Sequence, residues 1–243
     1  MDLAGRVALV TGAGRRLGAA IATGLLERGM DLAIHHHASV EGAADLAGLA
    51  ARRGRRAEVF AADLRDAAAA RALPQRVATA FGRLDVLINS AAVMVRQPVA
   101  DVTPESWDAT MDLNLRAAFF CTQGAAPALK LARGKVVNLA DVAAFEPWPD
   151  YPVHCISKAG VVMLTKALAR SLAPDITVNA VAPGAVLLPD DWDTPTRNRF
   201  AAPTPLQRLG DPSDVVRAVL YLLEGGDYVT GEVLVVDGGR LLR

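Results

Sequence analysis

Apolar residues recur along this chain in two alternating rhythms. Short unbroken apolar runs read as buried strands, and longer stretches with apolar residues every three or four positions read as helices. "RVALVT" (6–11) is the first such strand and ends in a glycine-rich turn; "LGAAIATGLLERG" (17–29) is the first helix and stops at Gly29. Further strands are predicted at 32–36, 56–64, 84–92, 135–141, 176–184 and 231–239. Helices are predicted at 41–53, 66–81, 103–131, 151–172 and 212–225, the last with Pro212 in its first turn. Residues 186–210 are proline-rich with no clean period, and read as an irregular substrate loop or lid. No linker and no internal repeat interrupts the pattern. The alternation predicts one α/β domain over 1–243, a doubly wound parallel sheet of about seven strands with helices on both faces. Ligands in such sheets sit outside the carboxyl ends of the strands, so chemistry is sought in the turns that follow them.

Composition narrows the picture by exclusion. Basic and acidic residues balance at 26 each, so no basic stripe points to nucleic acid. No apolar run approaches the ~18 residues of a membrane span, and the N-terminus lacks a signal pattern. Two distant cysteines, Cys121 and Cys155, argue against a disulfide framework and for a reducing, cytoplasmic setting.

The first turn carries the first candidate chemistry. "TGAGRRLG" (11–18) has glycines at 12, 14 and 18, which let the backbone approach a pyrophosphate at a helix N-terminus. Thr11, Gly12, Arg15, Arg16, Leu17 and Gly18 are therefore cofactor candidates. Dinucleotide folds usually place an acid at the end of the second strand to hold the adenine ribose. Here that end reads "IHHHAS", with His35, His36, His37 and Ser39 and no carboxylate until Glu41. Cations and a hydroxyl there suit a 2′-phosphate, so NADP(H) is expected rather than NAD(H). Adjacent strand residues point to opposite faces, so at most His35 and His37 could share a ligand, and no metal is expected. Asp63, followed by Leu64, either accepts from the adenine amino group or caps a turn.

"DYPVHCISKAG" (150–160) carries the second. At about 100° per helical residue, Tyr151, His154 and Lys158 fall within roughly 60° of one another. A phenol, an imidazole and an ammonium then share one face.

Taken in order, "TGAGRRLG", "ADL", "LINSAA", Asn114 in "DLNLRAAFF", "VVNLAD", Lys158, "VNAVAPGAV" and "GEVLVVDGG" resemble the short-chain dehydrogenase/reductase family over essentially the whole chain. The resemblance implies a Rossmann-type fold, a nicotinamide cofactor, a homotetramer and a catalytic set of Asn, Ser, Tyr and Lys. It adds Asn89, Ser90, Ala91, Pro183 and Gly184 to the cofactor contacts. Lys158 matches the lysine that holds the nicotinamide ribose, and Asn114 the asparagine that anchors a relay water. The serine position is Asp141 and the tyrosine position is His154. Asp141, Arg16 in the glycine loop, the histidine run and Tyr151 look like the pteridine reductases within that family. The aromatic that stacks a pterin in that subgroup falls at Met94, and a serine near the phosphates falls at Ala92.

The resulting expectation is an NADPH-dependent reductase of a C=N bond in a pterin-like substrate, with His154 as proton donor and Asp141 orienting or recharging it. An imidazole suits proton transfer near neutrality, since it titrates at about 6.5 against about 10 for a phenol. Arg16, Met94, Tyr151 and Trp148 would line the substrate site; Trp192 flanks its mouth, and Arg243 either reaches a neighbouring subunit or trails into solvent. Two alternatives stay open. One is a carbonyl or 3-oxoacyl-thioester reductase, and the other is an NADPH-binding protein without chemistry.

Overall fold

The computed structural model describes residues 1–187 and 193–242. Trp192 and Arg243, and part of the expected 186–210 lid, lie outside the described residues.

Seven strands form one sheet in the order β3-β2-β1-β4-β5-β6-β7, and every neighbouring pair is parallel. They are β1 Val7–Val10, β2 Asp31–His36, β3 Ala57–Ala61, β4 Val86–Asn89, β5 Lys135–Leu139, β6 Thr177–Pro183 and β7 Val233–Val236. The helices are α1 Arg16–Glu27, α2 Val40–Arg52, α3 Ala67–Phe81, α4 Pro104–Met111, α5 Ala117–Ala132, α6 Pro152–Leu172, α7 Thr194–Ala201 and α8 Pro212–Glu224.

Helices cover both faces, which is why the strands read as continuous apolar runs. In β1, Ala8 and Val10 join the core beneath α1, α2 and α8, while Val7 and Leu9 join the core beneath α3 and α5. The strand order reverses between β1 and β4, and a crevice opens there at the carboxyl ends.

Three differences from the sequence reading bear on the site. The predicted helix over 103–131 is broken by a π-helical turn at Asp112–Arg116, which carries Asn114; such a bulge turns one side chain out of register. The expected irregular segment 186–210 contains the helix α7, capped by the Asp193 side chain accepting from Thr196 N; Pro195 stands in the first turn of this helix, and Pro203 and Pro205 follow it. Finally, α6 begins at Pro152, and Tyr151 is its N-cap with φ −135° and ψ 40°. Tyr151 therefore lies outside the helix whose face it was expected to share.

Candidate active site

The turn after β1 is a backbone cradle. Gly12 has φ +67°, and a Cβ on Gly18 would stand 2.3 Å from the Gly12 carbonyl oxygen. A Cβ on Gly14 would meet Ser39 at 2.7 Å, and one on Gly42 would meet the Gly14 carbonyl at 1.9 Å. Arg16 adopts φ +51°, a left-handed conformation unusual for a side-chain-bearing residue. Its guanidinium donates to the Leu187 carbonyl at 3.2 Å. No side chain caps the first turn of α1, so its N–H groups face the crevice, an arrangement suited to phosphate.

A cleft of about 680 Å³ opens over this turn. Gly12, Arg15, Arg16, Leu17, Gly18, His35, His36, His37, Ser39, Asp63, Leu64, Ser90 and Ala91 line it. The glycine cradle, the open helix end and the cleft size fit a dinucleotide.

The three histidines divide their work. His35 is a strut: its Nδ1 accepts from Gly12 N at 3.0 Å, and its Nε2 donates to the Ala62 carbonyl at 3.2 Å. Accepting at one nitrogen and donating at the other defines the neutral ring, and burial lowers its pKa to about 4. His35 thus ties the glycine turn to the end of β3. His36 is buried with Nδ1 unpartnered, while His37 is exposed at the rim.

Several other candidates are fixed by hydrogen bonds. Thr11 Oγ1 accepts from Ser90 N and Ala91 N at 2.9 and 3.0 Å, binding the β1 and β4 turns together. Asn89 Nδ2 donates to Asn138 Oδ1 at 2.9 Å and Thr122 Oγ1 at 3.1 Å, inside the sheet. Asp63 is held by Arg65, which keeps its carboxyl at about 2. Pro183 and Gly184 close β6 against β7, where Gly184 N donates to the Val236 carbonyl.

The second cluster gathers where β5 ends and α6 starts. Lys158 is buried and donates from Nζ to the Leu139 carbonyl at 2.7 Å. Burial lowers its pKa to about 8, with Asp141 opposing that shift. His154 is 4% exposed. Its Nε2 stands 3.6 Å from Asp141 Oδ2, and its Nδ1 faces the Val93 carbonyl at 3.3 Å. Asp141 Oδ1 accepts from Ala143 N at 2.8 Å, leaving Oδ2 for the ring. Both ring nitrogens therefore face acceptors, an arrangement that suits a ring carrying two protons, or one proton shared with the carboxyl.

Trp148 stacks on His154 with ring centroids 6.3 Å apart and planes 15° from parallel; Tyr151 meets Trp148 edge-on at 6.0 Å. Met94 is 57% exposed and Ala92 is exposed beside it. Asn114 is buried, its side chain bound to the Val93 backbone and to Ser157.

Sequence reasoning missed Ser157, Gly42 and the Val93 carbonyl. Ser157 was findable, since it lies one helical turn after His154. A backbone carbonyl leaves no mark in a sequence.

The chain matches, over residues 12–240, the family model described as enoyl-(acyl carrier protein) reductase. It is 34% identical to a 3-oxoacyl-(acyl-carrier-protein) reductase of Staphylococcus aureus, covering 97% of this chain and 98% of that one. It is also 34% identical to a D-threitol dehydrogenase of Mycolicibacterium smegmatis, covering 99% and 95%. Among solved structures, it superposes on a putative short-chain alcohol dehydrogenase of Sinorhizobium meliloti with TM-score 0.93 and 35% identity, covering 99% and 98%. A blue fluorescent protein from a metagenomic library, solved with NADPH, gives TM-score 0.92 at 32% identity, covering 99% of each chain. With its seven-stranded parallel sheet, glycine turn and buried Lys158, the chain belongs to the short-chain dehydrogenase/reductase family of oxidoreductases.

Proposed function

We propose that this protein is an NADP(H)-dependent oxidoreductase that interconverts a small or thioester-linked ketone and its alcohol. The carrying observation is the buried His154 ring, set 3.6 Å from Asp141 on the helix that also carries Lys158. A positioned donor beside a carboxylate has the makings of a general acid.

Arg15, His36, His37 and Ser39 would take the 2′-phosphate, the α1 N-terminus the pyrophosphate, and Lys158 the nicotinamide ribose. A nicotinamide held there would supply the hydride for the substrate carbon. His154 Nε2–H donates to the substrate oxygen, the part a phenol plays in the family pattern. Asp141 cannot donate as a serine does while it is ionised, but it favours a proton on the facing ring nitrogen. Trp148 holds the ring plane, and Tyr151 edges the pocket.

The names of the relatives support the carbonyl chemistry: one reduces a 3-oxoacyl group and another oxidises a polyol. A second reading, reduction of a pterin C=N bond, is favoured by Asp141 and by Arg16 in the glycine turn. Assembly as a homotetramer in the cytoplasm belongs to the same proposal. It is supported by Phe119 and Met163, which stand exposed beside a groove between α5 and α6. No helix among the described residues is long and apolar enough to cross a membrane.

NADPH oxidation with acetoacetyl thioester, small hydroxyketones and dihydrobiopterin in parallel tests the reading. Turnover on either of the first two supports it. Turnover on the pterin alone moves the assignment to the second reading, and tight NADPH binding with no turnover on any leaves a cofactor-binding protein without chemistry.

A further inference from the structure

One hydrogen-bonded chain links three residues to the orientation of the His154 ring. The Val93 carbonyl accepts from Asn114 Nδ2 at 2.9 Å and faces His154 Nδ1 at 3.3 Å. The Val93 N–H donates to Asn114 Oδ1 at 2.8 Å, so the Asn114 amide grips that peptide unit from both sides. Asn114 Nδ2 also donates to Ser157 Oγ at 3.0 Å, and Ser157 Oγ donates to the His154 carbonyl at 2.7 Å. Each polar atom of the Asn114 side chain is used, and the π-helical turn at 112–116 is what brings it there.

A carbonyl oxygen only accepts, so the ring nitrogen facing Val93 carries a hydrogen. The other nitrogen, Nε2, is buried with no hydrogen-bond partner within normal reach, 3.6 Å from Asp141 Oδ2. The titratable and charged groups around the ring are Asp141 from the turn after β5, Tyr151 at the N-cap of α6 and Lys158 within α6; the loop after β4 contributes the uncharged Val93 peptide.

We propose that Asn114 and Ser157 are positioning residues that act through the Val93 carbonyl. They lock His154 with its permanent hydrogen on Nδ1, so that the proton delivered to substrate is always the one on Nε2. The proposal rests on His154 being the proton donor. In the delivery step, the Nε2–H bond breaks and an O–H bond forms on the substrate as hydride reaches its carbon. The ring is left neutral, with Nδ1–H still held by Val93. Nε2 then takes a proton from solvent past Asp141, which is only partly covered.

The test is long-range 1H–15N correlation on apo protein labelled with 15N-histidine, with the His154 signals identified by their loss in H154Q. The expected result is Nδ1 protonated across the pH range and Nε2 as the nitrogen that titrates. Asn114→Asp keeps the shape and the acceptor for Val93 N–H but removes both donated hydrogen bonds. Ser157→Ala removes one support and leaves Asn114 itself intact. Both variants should show mixed tautomers and lose roughly ten- to a hundredfold in kcat at unchanged KM for NADPH. A bare Nδ1 in the wild-type protein, or an unchanged tautomer in both variants, overturns the lock. Normal turnover in H154Q instead overturns the donor role on which the delivery step rests, whatever the tautomer.

Discussion

The carboxylate of Asp141 and Nε2 of His154 face each other across 3.6 Å, and each is anchored from behind. Asp141 Oδ1 accepts from Ala143 N, and His154 Nδ1 is held at the Val93 carbonyl. Neither group can turn away without giving up a hydrogen bond. In the proposed function, this pair stands where the family pattern has a serine and a tyrosine.

Asp141→Asn separates the carboxylate's charge from its shape. The amide oxygen can still cap Ala143, so the turn should fold. Without the negative charge, the proton on Nε2 is held less firmly. The pH above which kcat declines should therefore fall, and kcat at neutral pH should drop by roughly ten- to a hundredfold. NADPH affinity, measured by fluorescence titration, should stay within about twofold. An unchanged kcat–pH profile would show that the carboxylate does not act on the ring proton.

Gly42 and Gly48 lie on the same helix and should respond oppositely to alanine. A Cβ on Gly42 would stand 1.9 Å from the Gly14 carbonyl oxygen, and backbone on both sides cannot swing aside. Gly42→Ala should displace the phosphate turn, lowering Tm and weakening NADPH by more than about tenfold. Near Gly48 the only atom within contact range is Arg52 Nη1 at 3.4 Å, the far end of a flexible side chain. Gly48→Ala should gain about 0.5–1 kcal/mol from helix propensity and leave NADPH binding alone. Calorimetry with and without NADPH checks both. Equal effects from the two substitutions would remove the close-approach argument.

The architecture was legible because both faces of the sheet are covered. Strands such as Val7–Val10 then show as unbroken apolar runs between helical periods. The glycine turn, Lys158, Asn114 and the His154 register were legible for the same reason, since spacing survives translation into structure. Orientation was not. Reading His35, His36 and His37 as one cationic set failed to foresee that Gly12 N–H and the Ala62 carbonyl make His35 a neutral strut. Likewise Asn114 was expected to anchor a water, and nothing local announces that its side chain grips the Val93 peptide 21 residues earlier. Such contacts depend on which loop the fold lays alongside. The helix α7 was hidden because Pro195, Pro203 and Pro205 read as breakers, whereas Pro195 stands in its first turn.

His35 should make the protein acid-sensitive. Burial lowers its pKa from 6.5 to about 4. Between those values the unfolded chain takes up a proton that the folded chain refuses. Stability is thus undiminished above pH 6.5 and lost as pH falls toward 4, by about 3 kcal/mol for this group. His35→Asn keeps an acceptor near Gly12 N without a titrating ring. Urea unfolding across this window should be steeper in pH for the wild type than for the variant. Parallel curves would mean that His35 is not the neutral strut described.

Lys158 should carry the same signature at alkaline pH. Its ammonium is buried beneath the Leu139 carbonyl, and burial lowers its pKa from 10.5 to about 8. Between those values the folded protein has released a proton that the unfolded chain still holds. Stability of the apo protein therefore rises with pH through this window, by up to about 3 kcal/mol for this group, and that gain is absent at neutral pH. Lys158→Met fills the same space without charge but leaves the Leu139 carbonyl short of a donor, at a cost of about 1–3 kcal/mol. The variant should thus be about as stable as the wild type at pH 7 and should lack the alkaline rise. It should also bind NADPH more weakly, because the ribose loses its cation. The two readouts separate the structural burden of the ammonium from its use. Equal alkaline slopes in denaturant titrations of wild type and Lys158→Met would show that the ammonium is not held in a desolvated site. Unchanged NADPH affinity would remove Lys158 from the ribose site.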